Sequence, residues 1–96
     1  MTQNNSQRHK YVWINGKFVE WENAKIHVMT HALHYGSGVF EGIRGFATDN
    51  NVAIFRLHDH MLRLAESAKV LDLEYDIKEL ENACVDLLKQ NNIKQD

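Results

Sequence analysis

The sequence predicts an α+β unit: two antiparallel β-hairpins followed by two helices packed on one side of the sheet. Three observations carry this. Alternating residues flank Asn15-Gly16, a strong signal for a two-residue hairpin turn. A second pair of alternating runs flanks the polar stretch Thr48-Asp49-Asn50-Asn51. From Leu57 onward the apolar period changes from two to that of a helix, in two successive segments.

In chain order, residues 1–10 are polar and predict a mobile tail. Tyr11 to Asn15 sets Val12 and Ile14 on one face and Tyr11 and Trp13 on the other, and Lys17 to Trp21 returns. Ile26 to Tyr35 is apolar and rich in histidine; its periodicity leaves a short helix and an ordered loop equally open, and Gly36-Ser37-Gly38 ends it. Val39 to Ala47 reads as the clearest strand, with Phe40, Gly42, Arg44 and Phe46 on one face. Val52 to Arg56 is its return. Leu57 to about Leu71 is a helix with Leu57, Met61, Leu64, Ala65, Ala68 and Leu71 on one stripe. Asp76 followed by Glu79 is a capping box that opens a second helix, with Leu80, Ala83, Cys84, Leu87 and Leu88 inward, running to Asn91 or Asn92.

Composition removes several function classes. Net charge is −2 over 96 residues, without a basic stripe able to neutralise several phosphates, so nucleic acid is not the expected ligand. No apolar run approaches the roughly 18 residues of a membrane span. The N-terminus has no apolar signal segment. Cys84 is the single cysteine, which fits a reducing compartment. The expectation is a cytoplasmic protein that engages neither membrane nor nucleic acid.

The residues with chemical potential are few. His27, His31 and His34 follow i, i+4, i+7 spacing, which on a helix builds a zinc face. With no cysteine nearby, local hydrogen bonding is the preferred reading and no metal is expected. The glycines of Gly36-Ser37-Gly38 precede a strand pattern rather than a helix, which rejects a dinucleotide fingerprint. Gly36 and Gly38 permit positive φ before the strand, and Gly42 within a strand pattern predicts a close approach to the backbone by a bulge, another chain or a ligand. The row Phe40–Gly42–Arg44 combines an aromatic wall, a gap and a cation; it is either a cradle for an apolar group beside an anion or a mixed surface strand. Arg63 lies at the edge of the first helix's apolar stripe, suited to a phosphate or to pairing with Asp59 or Glu66. Cys84 sits among leucines and reads as a structural thiol. No nucleophile, base and orienting group occur together.

His27-Val28-Met29-Thr30-His31-Ala32-Leu33-His34-Tyr35-Gly36-Ser37-Gly38-Val39-Phe40-Glu41-Gly42-Ile43-Arg44 resembles the signature of bacterial branched-chain amino acid aminotransferases, pyridoxal-phosphate enzymes of fold type IV. Trp13-Ile14-Asn15-Gly16-Lys17, Ile54-Phe55-Arg56-Leu57 and His60-Met61-Leu62-Arg63-Leu64 extend the resemblance over nearly the whole chain. D-amino acid aminotransferases and aminodeoxychorismate lyases share the fold, but their version of the Phe40–Arg44 segment usually differs, and they rank below. The resemblance implies that Arg63 grips the phosphate of pyridoxal 5'-phosphate. It implies that Phe40 and Gly42 line the pocket for a branched side chain, and that Tyr35 reaches the neighbouring subunit's pocket in a homo-oligomer, a dimer or larger. Arg44, on the same strand face, is a further candidate. The substrates implied are leucine, isoleucine or valine with 2-oxoglutarate, in branched-chain amino acid biosynthesis.

The family's Schiff-base lysine lies in a later, larger domain. None of Lys10, Lys17, Lys25, Lys69, Lys78, Lys89 and Lys94 sits in its motif. The expectation is therefore that residues 11–96 form part of the N-terminal small domain, with the larger cofactor domain absent, no catalytic residue in this chain and no activity by itself. The competing expectation is a non-catalytic module that binds or oligomerises. An open sheet edge and an unfilled core face would favour association.

Overall fold

Asn15 and Gly16 both adopt positive φ, +50° and +86°, as a type I′ turn requires. They join β1 (Tyr11–Ile14) to β2 (Lys17–Glu20) with Val12 opposite Val19 and Trp13 opposite Phe18. The computed structural model describes residues 10–94, so the expected tail lies outside the described residues except for Lys10, whose carbonyl accepts the Trp21 N–H at 2.8 Å. Trp21–Asn23 is one turn of 3-10 helix, which ends the returning strand at Glu20.

The segment whose periodicity admits helix or loop contains both structures. Residues 26–30 are irregular, and α1 (His31–Tyr35) follows as a single short helix. Gly36 closes it at φ +62°, donating its N–H to Ala32, a conformation that glycine adopts at little cost.

The largest departure from the sequence reading is the strand expected over Val39–Ala47. Only β3 (Gly45–Ala47) is regular, paired with β4 (Val52–Ile54) so that Gly45 faces Ile54 and Ala47 faces Val52. One further bond, from Phe55 N–H to the Arg44 carbonyl, extends the hairpin. The reason is geometric. Continuing that register, residues 39–42 would need partners at 57–60, and those residues are helical. A strand pattern without an opposing strand has nowhere to place its backbone hydrogen bonds. The two hairpins also form two separate two-stranded ladders rather than one sheet.

No other part of the described chain approaches Gly42, where a Cβ would meet nothing within 4 Å. A close approach within the chain occurs at Gly45, where a Cβ would lie 2.7 Å from Val52 Cγ1.

The helices are α2 (Leu57–Val70) and α3 (Ile77–Gln90). Arg56 enters α2 in the left-handed region at φ +51°. Both helices end alike. Leu73 N–H returns to Ala68 and Asp72 N–H to Lys69; Ile93 N–H returns to Leu88 and Asn92 N–H to Lys89. This is the Schellman pattern, with Asp72 and Asn92 at positive φ where glycine is commonest. Asp76 caps α3 as expected, accepting the Glu79 N–H at 3.1 Å. The helices pack on each other, α3 also packs on β1, and His58 Nδ1 meets the Glu81 carboxylate at 2.5 Å across the pair. Met61, Ala68 and Ala83 are the buried apolar residues among those described, whereas many large ones are open, including Val28, Met29, Leu33 and Val70. No helix among the described residues is long and apolar enough to cross a membrane.

Candidate functional site

His60 and Arg63 are three residues apart on α2, so both project from one face of it. The irregular segment before β3 runs alongside that face and delivers Glu41 to them. Glu41 accepts from Arg63 Nε at 3.0 Å and 3.1 Å, on Oε1 and Oε2, and also from Arg63 Nη2. His60 Nδ1 lies 3.0 Å from Oε1. The Glu41 side chain is enclosed, 7% exposed, while the Arg63 side chain is 66% exposed. Enclosure in contact with two donors is how a carboxylate stays ionised.

The electrostatics follow. The Arg63 hydrogen bonds, aided by His60, hold the Glu41 carboxyl at about 2 rather than the usual 4.5, and Glu41 in turn raises the Arg63 pKa. Burial, then the Glu41 charge, raises the Tyr75 phenol as well; that hydroxyl donates to the Met61 carbonyl at 2.6 Å. A depressed carboxyl pKa contributes stability that is fully present above the unfolded value and is lost as pH falls through the folded one. The difference in urea midpoint between the wild type and Glu41→Gln should thus be constant above about pH 4.5 and shrink toward pH 2. Parallel acid profiles for the two proteins would show that the ion pair contributes nothing to folding.

Arg63 therefore does not pair with Asp59 or Glu66. Asp59 is taken by Arg56, whose Nε donates to it at 2.7 Å, and the partner of Arg63 comes from 22 residues earlier in the chain. Arg63 lines an open cleft of about 350 Å³ with Phe55, Arg56, Asp59 and His60.

The other candidates fall around it. Phe40 and Gly42 flank Glu41 in the irregular segment before β3, so no strand aligns them. Phe40 is 91% exposed and Gly42 has open space at its Cβ. Arg44 stacks its guanidinium over Phe46 at 5.2 Å, and Phe46 meets Phe55 edge-on at 5.9 Å. Tyr35 stays on α1, its ring 4.5 Å from that of His31, and is 74% exposed.

The histidines of the α1 region make local bonds. His27 Nδ1 accepts the Met29 N–H at 3.0 Å, His31 Nδ1 meets Ser37 Oγ at 2.6 Å, and His34 Nε2 donates to the Val28 carbonyl at 2.8 Å. Among the described residues no three His, Cys, Asp or Glu side chains converge as a metal site. Cys84 is half-buried, and burial followed by the Glu81 charge pushes its thiol up, so it is held as the unreactive thiol.

Sequence reasoning missed Glu41 and His60 as members of the site. A signal existed: His60 and Arg63 at i, i+3 present two donors on one helix face, which calls for an acceptor from elsewhere. Its source was hidden because the strand reading put Glu41 on the face opposite Phe40, Gly42 and Arg44.

The sequence profile of the family Amino-transferase class IV matches residues 38–95, from Gly38 through both helices. The chain belongs to the class IV aminotransferases. Among relatives of this class IV chain, the branched-chain-amino-acid aminotransferase of Salmonella typhimurium is 48% identical over 85 residues, covering 86% of this chain and 28% of the relative. The crystal structure of the Escherichia coli branched-chain amino acid aminotransferase superposes with a TM-score of 0.83 at 46% identity, over 90% of this chain and 29% of that one. The branched-chain amino acid aminotransferase of Thermoproteus uzoniensis, crystallised with norvaline, gives 0.83 at 44% identity, over 88% and 29%. A further solved branched-chain amino acid aminotransferase, complexed with N-(5'-phosphopyridoxyl)-L-glutamate, gives 0.83 at 44% identity, over 90% and 30%. The chain thus spans less than a third of the length of the relatives it matches, with the two-hairpin, two-helix arrangement of the corresponding part of their fold.

Proposed function

We propose that this chain is the N-terminal part of a branched-chain amino acid aminotransferase, and that Arg63 is its contribution to holding the phosphate of pyridoxal 5'-phosphate. The supporting observation is the Arg63 guanidinium: bound to Glu41 through Nε and Nη2 while Arg63 lines an open cleft, in a chain about half identical to enzymes of that name. The fit is chemical, since a planar guanidinium with free N–H groups suits a phosphate dianion. One of the structural relatives carries a phosphopyridoxyl ligand.

When bound, pyridoxal phosphate supplies the electron sink for moving an amino group from leucine, isoleucine or valine to 2-oxoglutarate. The residues of this chain bind and shape. Arg63 anchors the phosphate. Phe40 offers an apolar wall, and the bare backbone at Gly42 leaves room for a branched side chain beside it. Arg44 supplies a second cation near the same face, fixed by Phe46. Tyr35 extends outward toward a neighbouring subunit's pocket, in a cytoplasmic homo-oligomer. Its exposure and that of Phe40 support this, because large aromatic groups so open are suited to burial by further protein or by substrate. The Schiff-base lysine comes from outside these 96 residues.

The 96-residue chain should show no transfer from leucine to 2-oxoglutarate. It should bind pyridoxal 5'-phosphate reversibly, and Arg63→Ala should weaken that binding about tenfold, as loss of a charge-assisted hydrogen bond does. Turnover by this chain alone, or binding indifferent to Arg63→Ala, overturns the reading.

A further inference from the structure

Arginine is a long side chain, and an exposed one samples many rotamers, so binding an anion with it carries an ordering cost. Arg63 is exposed at 66% yet held at two nitrogens by a carboxylate that is itself enclosed. Glu41 is in turn held by His60 Nδ1 at 3.0 Å, from the preceding turn of the same helix as Arg63. Of the guanidinium's donors, Nε and Nη2 point at Glu41, and Nη1 makes no hydrogen bond to the described residues. The immobilised edge and the open edge are therefore opposite sides of one rigid plane. Glu41 has no such opening: its oxygens face Arg63 and His60, and the phenol of Tyr75 lies within reach of its charge.

We propose that Glu41 is a positioning residue for anion binding: its carboxylate, braced by His60, locks the Arg63 guanidinium so that the Nη1 edge is presented to the cleft before the anion arrives. This rests on the reading of Arg63 as a phosphate ligand. It makes a claim that simple electrostatics contradicts. A negative charge beside Arg63 should repel an anion, and its removal should strengthen binding. Preorganisation predicts the reverse, because the freed arginine must be ordered again at each binding event.

The probe is inorganic phosphate, titrated into the 96-residue chain and followed by phosphorus NMR. Glu41→Gln preserves shape but loses the charge-assisted two-nitrogen grip. It should weaken phosphate binding about two- to tenfold, the cost of re-ordering one long side chain. Unchanged or tighter binding in Glu41→Gln overturns the proposal and leaves Arg63 as a phosphate ligand. Arg63→Ala separates the two claims: if it does not alter phosphate binding, the reading of Arg63 fails rather than the role of Glu41. A measurement on the unmutated chain covers a variant that does not fold. NMR relaxation of the Arg63 Nε–H bond at neutral pH should show it as ordered as the backbone of α2. Mobility like that of a free surface arginine overturns the proposal.

Discussion

Met61→Ala is expected to destabilise this unit by about 2–5 kcal/mol, the range for removing a large buried side chain and leaving its space unfilled. Met61 is 3% exposed, and the other buried apolar residues among those described, Ala68 and Ala83, have almost no side chain to contribute. Among the fully buried residues described, Met61 therefore supplies nearly all of the apolar side chain. Its carbonyl also takes the Tyr75 hydroxyl, which ties the connection between the helices back onto α2. Small domains are stable by only about 5–15 kcal/mol, so the substitution removes a large share. Urea unfolding should show a lower midpoint with an unchanged slope. Met61→Leu, which nearly conserves volume, should cost less than about 1.5 kcal/mol. A Met61→Ala shift no larger than that of Leu62→Ala, whose side chain is half exposed, would place the core elsewhere.

The second large effect belongs to Asn91. Its carboxamide accepts the Tyr11 N–H at 2.7 Å and donates to the Tyr11 carbonyl at 2.9 Å, so it pairs with β1 as a neighbouring strand would. The same amide group donates to the Leu87 carbonyl at 3.1 Å, which fixes it to the end of α3. The first hairpin is thereby fastened to the last helix across 80 residues of chain. Asn91→Ala leaves both Tyr11 backbone groups without a protein partner and should cost about 1–3 kcal/mol. Hydrogen exchange should localise the loss, with the amides of β1 and β2 exchanging faster and those of α2 unchanged. Asn91→Asp should not rescue, because it keeps the acceptor, loses the donor and puts a negative charge at a helix C-terminus. Equal loss of protection in both helices would mean that the hairpin is integral to the helix pair rather than docked on it.

Much of this was legible along the chain because it rests on local rules. Asn15-Gly16 specifies a positive-φ turn, and the register of β1 and β2 follows from its length. Asp76 marks the start of α3 by its capping oxygen. The stripe through Met61 and Ala68 identifies the buried side of α2. The resemblance of residues 27–44 and 60–64 led to the family that the matched profile then established. Where alternation was read alone, over 39–44, it misled, since alternation says which residues share a face but not whether a neighbouring strand exists to bond them.

By itself, then, the sequence determined the two hairpin turns, the two helices and their buried faces, and the family. The turns and helices are each set by residues within a few positions of one another, and the family by a run of such motifs in order along the chain. Tertiary structure alone decided that Glu41 reaches Arg63, that Asn91 closes against Tyr11 and that the second hairpin stops at Gly45. Those outcomes join groups 22 and 80 residues apart, or depend on a partner segment having already become helix. The physical reason is the range of the forces. Backbone sterics and capping bonds act locally and can be read in order, whereas an ion pair or an amide clasp forms only where the packed chain brings its two halves together.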